Sequence, residues 1–139
     1  FPTRRSSDLT DKMIAVCSFD YSWQGSAKME ELITMPLLLR EAGSGSRSMV
    51  EGLLSKYKRK PEIVMESISI RSLIEACSKG MGVLLLTKSV LEPYMESHHL
   101  REIEIVDEKI MREYYFVYHK SKFLTKSMKC FQEFVLESR

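Results

Sequence analysis

With 139 residues and 44% hydrophobic composition, the chain can bury one core of ordinary size, as a single domain or as two small lobes. Charged residues make up 29% and nearly cancel to a net charge of +2, which excludes disordered, collagen-like and coiled-coil classes and disfavours nucleic-acid binding by this segment. The cysteines Cys17, Cys77 and Cys130 are odd in number, far apart and set among apolar neighbours, so they are expected as reduced core residues in a cytoplasmic protein.

Residues 1–9 are polar, begin without Met and show neither helical nor strand periodicity, so they are expected to stand outside the fold. The string Arg5-Ser6-Ser7-Asp8-Leu9 is similar to a translated sequencing adapter, so this stretch is expected to be a non-native end. Met13 to Cys17 is short, continuous and apolar, the pattern of a buried strand. A loop follows over Asp20 to Gln24, with Trp23 expected to pack on a lobe surface, and a short helix over Lys28 to Ile33 stops before Pro36.

Leu37-Leu38-Leu39 predicts a second buried strand, running into the turn Glu41-Ala42-Gly43-Ser44-Gly45-Ser46-Arg47. The helix after it is expected to be capped by Ser46 or Ser48, the latter forming a box with Glu51, and to bury Val50, Leu53, Leu54 and Tyr57. It should close in Lys56, Lys58, Arg59 and Lys60 before Pro61. The pattern then repeats. Ile63-Val64-Met65 reads as a strand, Ser67-Ile68-Ser69 as a turn, and Ile70, Leu73, Ile74 and Cys77 as a helical stripe ended by a left-handed Gly80. Val83 to Leu86 is a third buried strand, and strand-helix alternation of this kind implies a parallel sheet with right-handed crossovers. Beyond it, Val90 to Met95 suits a short helix, and Ile103 to Val106 and Tyr114 to Tyr118 suit strands. Thr125 can cap a last helix with Leu124, Met128, Phe131 and Val135 on one face. No apolar run approaches the roughly 20 residues of a spanning helix.

In an open parallel sheet, ligands bind outside the carboxyl edge, where the helices begin. The two helix starts, Ser44-Gly45-Ser46-Arg47 and Ser67-Ile68-Ser69, bring hydroxyls, backbone N–H groups and the positive end of a helix dipole, and Arg47 can add a bidentate contact to a carboxylate or phosphate. Plain helix capping accounts for the same serines. Enzymatic readings lack their residues: the Gly43-x-Gly45 turn has neither the third glycine of a dinucleotide fingerprint nor a P-loop lysine, and no serine sits in a G-x-S-x-G elbow. His98 and His99 are adjacent and so diverge, His119 stands alone, and Glu62, Glu66 and Glu75 read as solvated carboxylates. No metal and no cofactor are expected.

The segments Leu37 to Arg47, Glu66 to Ile74, Lys79 to Leu86 and Leu100 to Ile105 together resemble the effector domain of LysR-type transcription regulators, over residues 12 to 138. The resemblance implies an α/β, periplasmic-binding-protein-like (type 2) fold over residues 10–139, with two lobes and a small molecule in the cleft between them. Residues 36–110 would form the second lobe with a mostly parallel sheet, and residues 111–139 the strand and helix that return to the first. Ligand contacts are implied at Ser44, Gly45, Ser46, Arg47, Ser67, Ile68 and Ser69. The front of the first lobe, and the winged helix-turn-helix and linker helix that bind DNA and dimerise, would lie outside this sequence. The expected protein is a cytoplasmic, non-enzymatic sensor of a small anionic effector, a homodimer or homotetramer when complete, with DNA as partner only through its other domain. Thr87 stands where the family often has proline. A transporter's solute-binding protein and an enzyme on a related two-lobed scaffold are the alternatives.

Overall fold

In the computed structural model, which describes residues 3–23 and 25–137, the elements run β1 (Thr3–Ser18), β2 (Ser26–Ala27), α1 (Met29–Leu32), β3 (Leu37–Arg40), α2 (Gly45–Leu54) and β4 (Ile63–Ser67). They continue as α3 (Ile70–Ser78), β5 (Val83–Thr87), α4 (Lys88–Leu91), a 3-10 turn (Glu92–Tyr94), β6 (Leu100–Ile105), β7 (Met111–His119) and α5 (Lys126–Glu137). The chain divides into two units: Lys12–Ile110, and the residues up to Asp11 together with those from Met111 onwards. The larger unit is wider than the expected 36–110, because the strand and short helix ahead of Pro36 complete its sheet and core.

Within Lys12–Ile110 the strands lie in the order β2-β6-β1-β5-β3-β4. β3 pairs in parallel with β4 and β5, and β2 with β6, while β1 runs antiparallel to both β5 and β6. The sheet is therefore mixed and mostly parallel. Its three central strands carry the unbroken apolar runs, because each is buried on both faces. Met13, Ala15, Cys17, Leu37, Leu39, Val83 and Leu85 point into one core, which α2 closes with Val50, Leu53 and Leu54. Ile14, Val16, Leu38, Leu84 and Leu86 point into the other, closed by Leu73, Ile74, Ala76 and Cys77 of α3 and by Leu91 of α4. Trp23 packs at the rim of the first core and donates its indole N–H to the Ser26 carbonyl at 3.3 Å, the structural role expected of it.

The chain turns sharply after α3. Gly80 takes the left-handed conformation at φ +75, donating its N–H to the Cys77 carbonyl, and Met81 donates to the Ala76 carbonyl, the double bond of a Schellman ending. Gly82 then lets β5 approach the lead-in to its neighbour β3: a Cβ there would stand 2.4 Å from the Pro36 carbonyl oxygen, which accepts the Val83 N–H at 2.8 Å. α4 begins at Lys88, two residues ahead of the expected helix, and β6 begins at Leu100, three ahead of the expected strand. The cations expected in the last turn of α2 lie beyond it, since the helix ends at Leu54 and Lys56 reaches Glu108 instead, at 3.2 Å.

In the smaller unit, Thr3 to Asp11 continue β1, which pairs with β7. Residues 3–9, which sequence periodicity does not assign to the fold, are part of that strand, and strand pairing is a main-chain property that needs no apolar alternation. Thr125 caps α5 as expected, its hydroxyl accepting the Met128 N–H at 3.3 Å. No described residue of α5 is buried: Phe131 and Phe134 are exposed, although Phe131 meets Phe116 edge-to-face at 6.1 Å. Cys130 is likewise exposed, against the expectation of a core residue, whereas Cys17 and Cys77 are buried. Burial pushes the Cys77 thiol up to about 12 and also raises that of Cys17, against a smaller opposing pull from Arg101.

Candidate functional site

The sheet of Lys12–Ile110 places its divergent loops around one strand. β3 leads into α2 on one face, while its neighbours β4 and β5 lead into α3 and α4 on the other. Connections that leave adjacent parallel strands toward opposite faces open a crevice at the carboxyl edge, which is where open α/β sheets bind ligands. The loops flanking that crevice are residues 41–44 after β3 and residues 68–69 after β4, each running into the first turn of its helix, so the two predicted helix starts come to one edge through the topology.

At the first, the cap is Ser44 and not Ser46 or Ser48. The Ser44 backbone is extended, and its Oγ accepts the Arg47 N–H at 3.1 Å. Ser48 lies one turn in, donating both its N–H (2.9 Å) and its hydroxyl (3.1 Å) to the Ser44 carbonyl, so the Ser48–Glu51 box does not form and the helix opens at Gly45. Ser46 is buried and Gly45 exposed. At the second, Ser67 closes β4, and its Oγ accepts the Ser69 N–H at 3.0 Å. Ser69 is the cap of α3, accepting the Ser72 N–H at 3.2 Å and the Ser72 hydroxyl at 3.0 Å. Between them Ile68 is 76% exposed, an apolar side chain among polar groups.

Arg47 is taken up by protein partners. It is only 7% exposed, and its guanidinium is turned into the protein. Nε donates to Glu51 at 2.7 Å, and one terminal nitrogen donates to Glu66 at 3.0 Å and to the Arg40 carbonyl at 3.1 Å. Nothing in the spacing of the sequence distinguishes an arginine that reaches outward from one that folds back onto its neighbours, and here the Arg47 nitrogens are engaged by Glu51, Glu66 and the Arg40 carbonyl. Glu66, expected as a solvated carboxylate, is its partner and also accepts the Ala42 N–H at 3.4 Å. Beside this group Arg40 forms a two-pronged ion pair with Glu41 at 2.8 and 3.0 Å, and that hydrogen-bonded guanidinium holds the Glu41 carboxyl below the ordinary carboxylate range.

The amino edge of the same sheet has other chemistry. Ser18, Phe19, Asp20, Glu75, Ser78, Lys79 and the adjacent His98 and His99 line a polar cavity of about 500 Å³ there. His98 pairs with Glu75 at 3.3 Å and with the Ser97 hydroxyl at 2.9 Å, so neither His98 nor Glu75 is simply solvated. Among the described residues no group of three or more His, Cys, Asp or Glu side chains is placed to hold a metal ion, and no helix is long and apolar enough to cross a membrane.

The family model for the LysR substrate binding domain matches residues 7–139. The chain belongs to that family. Among curated relatives of this LysR-type domain, an HTH-type transcriptional regulator of Escherichia coli K12, YeiE, is 29% identical over 111 residues, which are 80% of this chain and 38% of that protein. The chain thus spans about two-fifths of the length of the curated relative it matches. Among solved structures, the regulatory domain of CcmR from Synechocystis, in complex with 2-PG, superposes with a TM-score of 0.86 at 20% identity, covering 97% of this chain and 66% of that one. The effector-binding domain of QuiR in complex with shikimate gives 0.80 at 17% identity, covering 96% and 64%. These likenesses place the LysR-type domain in the α/β, periplasmic-binding-protein-like class.

Proposed function

We propose that this domain is the effector-sensing part of a LysR-type transcription regulator, holding a small anion at Ser44, Gly45, Ser46, Ser67, Ile68 and Ser69. The observation that carries the reading is the convergence of two serine-capped helix starts at one crevice of the sheet. Each start offers main-chain donors, a hydroxyl and the positive end of a helix dipole, a combination suited to a carboxylate or phosphate without any fixed cation. Two further considerations support it: CcmR and QuiR are described with 2-PG and with shikimate, a carboxylate. Ile68 adds an apolar wall for the carbon skeleton beside the charged group.

On this reading the whole protein is a cytoplasmic homo-oligomer that reaches DNA through a helix-turn-helix domain outside this sequence, and residues 111–139 belong to the other lobe. No bond is made or broken. The effector acts by binding one conformation of the sensing domain more tightly than another, and so changes how the DNA-bound subunits sit. The test is a thermal-shift screen of the complete protein against small carboxylates and phosphates. A ligand at 100 times its Kd adds about 2.7 kcal/mol of stability. Stabilisation by one such anion, reduced by Ser69→Ala, is the expected outcome; stabilisation by none of them, or turnover of one, would overturn the reading.

A further inference from the structure

The Arg47 and Glu66 side chains join the two loops that the proposed site uses. Arg47 stands in the first turn of α2, one residue after Ser46, and Glu66 is the residue before Ser67. The arginine is 7% exposed, and it spans three anchors at once: Glu51 on its own helix at 2.7 Å, the Arg40 carbonyl at the end of β3 at 3.1 Å, and Glu66 on β4 at 3.0 Å. The other oxygen of Glu66 accepts the Ala42 N–H at 3.4 Å, so one carboxylate holds both ends of the 42–47 turn. β4 is the edge strand, supported on one side by β3 alone, and its Ile63 and Val64 are exposed. The β3–β4 ladder sets Ser67 opposite Arg40, and the Arg47–Glu66 contact adds a side-chain tie between the two turns that lie beyond it.

We infer that Arg47 and Glu66 form a brace that sets the spacing of the two effector-binding loops, and that both are positioning residues which never touch the effector. This rests on the reading of the site given above. A rigid arginine fork suits the task, because its nitrogens satisfy three acceptors in fixed directions, which a lysine point charge cannot do. Residues joined in one hydrogen-bonded network also respond non-additively when they are removed.

Hydrogen exchange in the complete protein tests the brace without any ligand. Glu66→Gln and Arg47→Lys should each speed exchange about tenfold in both loops, read at peptides spanning 41–49 and 66–73, while β5 keeps the parent rate; the double variant should be no faster than either single one. Unchanged exchange in the second loop, or additive effects, would overturn the brace. Inorganic phosphate supplies a second readout of opposite sign for the two accounts. If the brace positions the loops, Glu66→Gln weakens phosphate binding at least threefold. If Arg47 instead contacts the anion directly, removing its competing carboxylate tightens binding and the inference is wrong. Should the parent protein bind no phosphate, the anion-site reading is what falls, and the exchange rates still decide the brace.

Discussion

The two helix starts at the carboxyl edge share one local design and differ in what lies beneath it. Ser44 and Ser69 cap α2 and α3 through the same geometry, each accepting the N–H three residues on at 3.1 and 3.2 Å. Under the first start, Arg47 is buried and tied to two other elements; the second start carries an exposed Ile68, and its side-chain hydrogen bonds run among Ser67, Ser69 and Ser72. The first loop is anchored by a buried side chain, whereas the second leaves a strand whose last residue stands in register with Arg40 and closes on its own serines. The lesson is that a capping serine shows where a helix begins, while the next side chain decides whether that beginning is fixed in space.

The comparison can be broken from below. Leu38 is fully buried in β3, the strand between both loops and their shared support, so Leu38→Ala should cost about 2–5 kcal/mol in urea unfolding and loosen both starts alike. Arg47→Met removes the buried anchor under the first start and its tie to Glu66 beside the second. Its partners Glu51 and Glu66 are half-exposed and can be rehydrated, so the expected loss is about 2 kcal/mol, below that for a fully buried pair. Ser44→Ala and Ser69→Ala should each cost about 1 kcal/mol, and a clear inequality between them would show that the anchor also strengthens the cap. Ile68→Ser should change stability by less than about 0.5 kcal/mol, since the side chain is already in water, while weakening effector binding.

Thiol chemistry separates interior from surface in the same spirit. With Cys77 pushed up to about 12 by burial and Cys17 raised for the same reason, neither forms thiolate near neutral pH, so iodoacetamide should label Cys130 alone in the native protein and all three cysteines in urea. At Glu41 the sign is the reverse. Its folded-state carboxyl is held low by Arg40, so the contribution of that pair is present above the ordinary carboxylate range and is lost as pH falls through the lowered value; Arg40→Met should remove that part of the acid sensitivity.

Much of the fold was legible because the chain obeys its own periodicities. The apolar runs at 13–17, 37–39 and 83–86 are unbroken for the reason inferred, burial on both faces, and Gly80 ends α3 where a left-handed residue was expected. What escaped was side-chain direction. Ser44, Ser46 and Ser48 are equally good caps in sequence, and only the chain path chooses Ser44. Arg47 carries the same charge whether it meets a ligand or Glu66, a residue 19 positions away, and a pairing over that distance leaves no periodic trace. The front of β1 was hidden for a related reason: the strand pairs with β7 through its main chain, which side-chain patterns do not report. β7 and α5 show the opposite failure: the apolar stripe of α5 was legible, yet no described residue of the helix is fully buried, and Phe131 has an edge contact with Phe116.

The central claim is that the sensing site lies at the carboxyl edge of this sheet, and backbone amide shifts on titrating the complete protein with a stabilising anion test it most directly. The account predicts the largest shifts at the helix starts, Gly45, Ser46, Ile70 and Arg71, with Arg47 side-chain resonances little changed. Shifts centred instead on the polar cavity at the opposite edge, around Ser78, Lys79 and His98, would contradict it.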